Sequence, residues 1–274
     1  MMKPLAAASL CILAAGSYAL LPGERILSPA ETVEASVSAL RQNDLKSLLS
    51  LSMSEEQIAI MRRSWDDQRR QGASQEEQAE FAQAVAFLTA SGAEERIMQM
   101  IRPKLDEMRP QWSMTVAMTT GMLESMIEMN EEMDTHEKDQ ARRVFQAVAQ
   151  ILQENDFTDE ARARKAVNIL CGAARELGVS SVDDVQALEF DQLLVKGGHV
   201  MSAVKRVLGV YGVDLDSWLE SVEAETIYEA GDVAKVRVSF EILGSTQTVD
   251  ADMVRVNERW VGKDSRSTAD FMGF

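Results

Sequence analysis

Methionine is the chemically active residue most strikingly patterned by position in this chain of 274 residues. In WSMTVAMTTGMLESMIEMNEEMD, residues 112–134, it stands at 114, 118, 122, 126, 129 and 133. Thioethers at that spacing can do three things. They can fill irregular gaps in a core, because the side chain is unbranched and adaptable. They can form an apolar surface that repacks around varied partners. They can also ligate soft Cu(I), since successive residues at i, i+4 on a helix reach toward a common ion.

At about 100° per residue, Met114, Met118, Met122, Met126, Met129 and Met133 share an arc of about 120°. Trp112, Val116, Leu123 and Ile127 group on a second, branched flank, and Ser113, Thr120, Glu124, Glu128 and Glu131 fill the remaining wedge. An apolar arc this wide predicts a helix contacted from two directions rather than one lying on a surface. Core packing is therefore the plainest reading of the methionines. An adaptable binding face is the second, enlarged by Met98, Met100 and Met108 just upstream. Cu(I) binding by the same six residues is the third, because Thr115, Thr119 and Ser125 are interleaved and no Cys or His assists.

Other site chemistries find little purchase. His136 and His199 have no Cys or His at ligand spacing, which argues against a structural zinc site. DTHEKD around His136 reads as a solvated helix end, and Gly197-Gly198-His199 as a break between helices. Glu131, Glu132 and Asp134, like Asp156, Asp159 and Glu160, lack the glycine and alternating oxygens of a calcium loop and read as solvated caps. Cys171, in AVNILCGAARELG, reads as a buried, inert thiol. There is no Gly-x-Ser-x-Gly elbow, no phosphate-cradling glycine loop and no Ser/His/Asp set. No catalytic residue is assigned and no cofactor is expected.

Forty-four acidic residues against 28 basic ones give a net charge of -16. Nucleic acid and anionic lipid both require a cationic surface, so this charge opposes both. The densest basic stretch, RRSWDDQRR, is interrupted by Asp66 and Asp67 and reads as a solvated helix face. The amino terminus, MMKPLAAASLCILAAGSYALLPGE, has the charge, apolar run and small-x-small site (Ser17-Tyr18-Ala19) of a secretory signal peptide spanning residues 1–19. Export to the periplasm, or secretion, is the expectation; the alternative is an inner-membrane anchor formed by residues 5–21. Loss of the signal would remove Cys11 and leave Cys171 alone, so no internal disulfide would hold the fold.

The elements that would position any site are legible. Ser28, Ser54, Ser74, Ser91 and Ser181 each open a helix-start pattern, Ser28 with proline at the first helical position and glutamate at the third. Gly178 and Gly212 stand where helices would stop. Residues 28–220 therefore read as helical. The period then changes from 3.6 to 2: Val236, Val238, Phe240 and Ile242 alternate with polar neighbours. A strand before Gly231-Asp232, another after Gly244-Ser245 and a short one after Asn257-Glu258 complete an antiparallel meander. The apolar face changes sides between Met253 and Val254, which predicts a bulge. The domain reading is a signal peptide at 1–19, a linker and first helix at 20–53, a helical region at 54–216, a meander at 217–264 and a tail at 265–274.

The ending ETIYEAGDVAKVRVSFEILGSTQTVDADMVRVNERWVGKD resembles the C-terminal hairpins of small exported bacterial domains with the nuclear-transport-factor-2-like, cystatin-like cone fold. Their opening helix resembles SPAETVEASVSALRQNDLKSLLSL. The resemblance implies a helix packed across a curved sheet, with the intervening helices as an insertion. Enzymes on that fold use pocket Asp, His or Tyr residues, for which this chain offers no matching motif. The expected protein is α+β, mainly α, with a C-terminal antiparallel sheet packed by the N-terminal helix. Its expected role is non-catalytic binding of a protein or peptide in the periplasm, through the Met-rich helix face. An enzyme or small-ligand binder with a pocket in the cone is the alternative.

Overall fold

A computed structural model describes residues 26–130, 133–242 and 244–263, with backbone alone at 136, 137, 140, 144 and 148. The candidate leader and anchor, Cys11, Glu131, Glu132, the His136 side chain and the tail after 263 lie outside the described residues. Eleven helices precede four strands among the described residues: α1 Pro29–Arg41, α2 Leu45–Ser52, α3 Glu55–Gln71, α4 Gln75–Thr89, α5 Ala93–Met108, α6 Trp112–Met129, α7 Thr135–Glu154, α8 Glu160–Leu177, α9 Val182–Gln186, α10 Phe190–Val210 and α11 Leu215–Glu220. The strands are β1 Glu223–Ala230, β2 Val233–Ile242, β3 Ser245–Val256 and β4 Arg259–Gly262. The protein is α+β, mainly α.

Local chemistry sets most helix starts. Ser28, Ser54, Ser74 and Ser181 each accept from the third residue's N–H while that residue's side chain reaches back to the cap. Each box satisfies two of the four amide donors that a helix start leaves unpaired. Asp159 caps α8 in the same sense, accepting from Arg162 N–H. Ser91 does not cap α5. Gly92 takes that place at φ 72, with no side-chain cap, because α4 and α5 are joined by a turn tight enough for Ala93 N–H to reach the Ala90 carbonyl.

The sheet is a four-stranded antiparallel meander in the order β1-β2-β3-β4. Val236, Val238, Phe240 and Ile242 point to one face with Ala234 and Met253, where Val33 and Val37 of α1 pack on them. Ala30 N–H donates to Thr226 Oγ1 at 3.2 Å, pinning the start of α1 to β1. Ile151, Val213, Leu219 and Trp260 complete this core. Of the helices between α1 and the sheet, α7 and α11 bury residues in the sheet's core, while α5 and α8 pack in a second cluster and α3 with the start of α10 in a third. The expected bulge at Met253 is not there: β2 and β3 pair without interruption from Val233↔Val254 to Ile242↔Ser245. The apolar positions change sides because the half-buried Val254 lies on the second face beside the buried Val261 of β4, while Val233 on its other flank stays exposed. The irregularity lies in the edge strand β1, between Thr226 and Tyr228.

Gly197 and Gly198 do not break a helix; they lie inside α10. Gly198 is buried against the α1–α2 turn, where Asn43 adopts φ 57. About two turns further along, the buried Lys205 donates to the Leu40 carbonyl at 2.7 Å, the Arg41 carbonyl at 3.1 Å and Asp216 Oδ1 at 2.6 Å. The ammonium thus adds a donor to the Leu40 carbonyl, which also accepts from Asn43 N–H at 3.1 Å, and to the Arg41 carbonyl at the end of α1. Lys205→Met keeps the stem and removes the three donors, and is expected to cost about 2 kcal/mol. Urea unfolding measures it; an unchanged midpoint would mean that water replaces the ammonium without loss.

Candidate functional site

α6 is held from one side. Trp112, Val116, Thr120, Leu123 and Ile127 form a stripe one helical face wide, and Val116 and Ile127 are buried where α7 runs alongside. The sulfur flank points the other way. Met114, Met118, Met122 and Met129 are exposed by 59, 68, 66 and 78%, and Met126 by 39%. Met133, past the helix end, is half-buried. The core-packing reading is therefore overturned for α6, as is the expectation of contact from two directions. A wide apolar arc needs two neighbours to be buried, and α7 supplies one.

Methionines elsewhere show the contrast within one chain. Met98 of α5 is fully buried with Ala93, Ala163, Val167 and Cys171. Met53 and Met61 pack with Phe190, and Met253 lies in the sheet core. Met100 and Met108 are exposed. Of the three upstream residues expected to enlarge the face, Met98 is thus excluded. Cys171 is buried, as expected, and burial pushes its thiol pKa up.

The start of α6 is fixed by three aromatic rings far apart in sequence. Trp112 and Phe157 lie 5.5 Å apart between centroids, and Phe157 stacks on Tyr211 at 4.6 Å. The Trp112 indole N–H donates to the Leu152 carbonyl at 3.2 Å. Beside the rings, Arg109 donates to the carbonyl of the buried Thr158, whose hydroxyl donates to Asp156 at 2.6 Å. That hydroxyl holds the Asp156 carboxyl below its usual range, and burial pushes the Tyr211 phenol up. Asp156 and Asp159 are engaged in turn and cap geometry, as expected of solvated caps. At the far end Arg142 of α7 bonds Glu128 at 2.7 Å and Lys138 donates to the Glu128 carbonyl. Aromatic stacking and these polar ties hold α6 on α7 and leave its thioether face outward.

A second concavity lies between the α1–α2 turn and α10. This groove of about 280 Å³ is lined by Asn43, Asp44, Leu194, Val195, His199 and Ser202, among others. Asn43 Oδ1 is buried there without a hydrogen-bond partner among the described residues. The apolar face of the sheet, where a cone pocket would open, is occupied by the core side chains already named. Among the described residues no group of three His, Cys, Asp or Glu side chains could hold a metal ion, and no helix is long and apolar enough to cross a membrane. The chain matches no protein-family model, no curated protein and no solved structure.

Proposed function

We propose that this is an exported, non-catalytic binding protein whose Met-rich face on α6 docks an apolar, positively charged segment of a protein or peptide partner. The observation that carries the reading is the exposure of Met114, Met118, Met122, Met126 and Met129 on one side of a helix whose other side is packed. A contiguous apolar surface is costly to leave in water and marks an interaction site. Thioether side chains are suited to it because they repack at low cost around different shapes. The net charge of -16 favours a cationic partner and speeds its approach. The cone-fold resemblance belongs to the same proposal and is supported by α1 lying across the sheet.

The test is titration with an amphipathic Leu/Lys peptide followed by fluorescence anisotropy. The double variant Met118→Gln/Met122→Gln is expected to weaken binding about tenfold or more, since covering one methylene's worth of each methionine is about 0.8 kcal/mol and about 1.4 kcal/mol is tenfold. Equal affinity of variant and parent would overturn the reading. A Cu(I) adduct in native mass spectrometry, lost in the same variant, would instead assign the face to soft-metal binding.

A further inference from the structure

The same exposed thioethers form a chemical surface as well as a docking one. Oxidation at sulfur requires an approach path for the oxidant, and the methionines differ widely by that criterion; Met100 and Met108 of α5 are open as well, but the row on α6 is the longest. Met114, Met118, Met122, Met126 and Met129 are open on α6, while Met53, Met61, Met98 and Met253 are enclosed in three separate cores. On α6 the contacts that fix the helix are made by Val116, Ile127 and the Trp112 ring, none of them a thioether. The face can therefore change chemistry while the helix stays where it is.

We propose that the α6 methionine face is a site of reversible oxidative modification by hydrogen peroxide, and that its sulfoxides close the face to apolar partners; this last clause rests on the docking reading above. In each event one peroxide oxygen is transferred to the methionine sulfur. The O–O bond breaks and an S–O bond forms; sulfur loses two electrons, and the other oxygen leaves with both hydrogens as water. The product is a polar, chiral sulfoxide in place of a flexible apolar group, reducible by methionine sulfoxide reductases specific for each epimer. Spacing at i, i+4 places the new dipoles in one row along the helix. A neutral oxidant suits a protein of charge -16, because anionic oxidants are repelled from it.

The experiment is a peroxide time course on the full purified protein, with peptide mass spectrometry for each methionine and thermal unfolding at each time point. Met114, Met118, Met122 and Met129 are expected to oxidise at least about tenfold faster than Met53, Met61, Met98 and Met253, with the unfolding temperature unchanged until the slow group reacts. Equal rates in the two groups, or loss of the folded state as the fast group reacts, would overturn the proposal. Leu/Lys peptide binding is measured on the same samples and should fall about tenfold with the fast phase. Reduction of the oxidised samples by methionine sulfoxide reductases should restore binding as the sulfoxide masses disappear, and Met118→Gln/Met122→Gln should reproduce the oxidised state without peroxide; binding that stays lost after complete reduction would overturn the reversible switch. Absence of peptide binding by the reduced protein would overturn the docking reading, and the modification site would then stand or fall on the relative rates.

Discussion

Gly198→Ala is expected to destabilise the protein by about 3 kcal/mol, lowering its unfolding temperature by about 6–12 °C at the sensitivity usual for this size. A Cβ built at Gly198 would lie 2.3 Å from the Asn43 carbonyl oxygen. That oxygen belongs to a backbone turn in the left-handed region, at φ 57, and cannot swing aside as a side chain would. Either α10 retreats from the α1–α2 turn or the turn is forced to a new conformation. Retreat would also stretch the Lys205 bonds to Leu40 and Arg41 carbonyls. The gain in helix propensity, about 1 kcal/mol, opposes the clash without matching it. Gly197→Ala is the control. Its Cβ would meet Leu45 Cδ1 at 2.7 Å, and Leu45 can rotate, so its net effect is expected within about 1 kcal/mol of zero. Equal effects of the two substitutions in thermal and urea unfolding would refute a close backbone contact at Gly198.

The same pair of glycines shows where sequence reasoning loses its way. Two adjacent glycines lower helix propensity, and from local preference alone they predict a break. The contact that makes one of them necessary involves Asn43, some 155 positions away, and leaves no local trace. Helix starts behaved differently, because a capping box is completed within four residues: Ser28, Ser54, Ser74 and Ser181 were legible for that reason. The alternating strand Val233–Ile242 was legible too, since a half-buried sheet imposes period 2 on the sequence itself. The change of sides at Met253 and Val254 was a true signal with a different cause, the pairing of Val254 with the buried Val261 on the second face instead of a bulge.

The methionine face falls between these cases. Its arc on α6 could be drawn from spacing alone, but whether that arc is covered depends on how many helices lie against it. A core helix and a binding helix with one open side share the same periodicity. Composition offered one hint, since thioethers replace the branched residues only on the flank that turned out to be open. The groove beside Asn43 had no hint at all, because its residues come from α1–α2 and α10 and are assembled by packing.

What keeps the open face in place gives the second large effect. Trp112→Ala is expected to cost about 3 kcal/mol and to act first on α6 and α7. Trp112 opens α6, packs on Phe157 and ties its indole N–H to the Leu152 carbonyl at the end of α7. Phe157 in turn stacks on Tyr211, next to the end of α10. The indole is the link between the methionine-bearing helix and the rest of the fold, and α6 has few other partners beyond α7. Its loss should accelerate amide exchange at Val116, Thr120 and Leu123 well before the amides of β2 respond, as expected of a local opening. Trp112→Phe separates the two contributions. It retains a ring against Phe157 and gives up one hydrogen bond, so about 1 kcal/mol is expected. If both variants slow or leave unchanged the exchange of α6 amides, the aromatic contact does not anchor the helix. If alanine loosens α6 while Leu/Lys peptide binding stays intact, the partner orders the helix on arrival, and the preformed methionine face is not what it recognises.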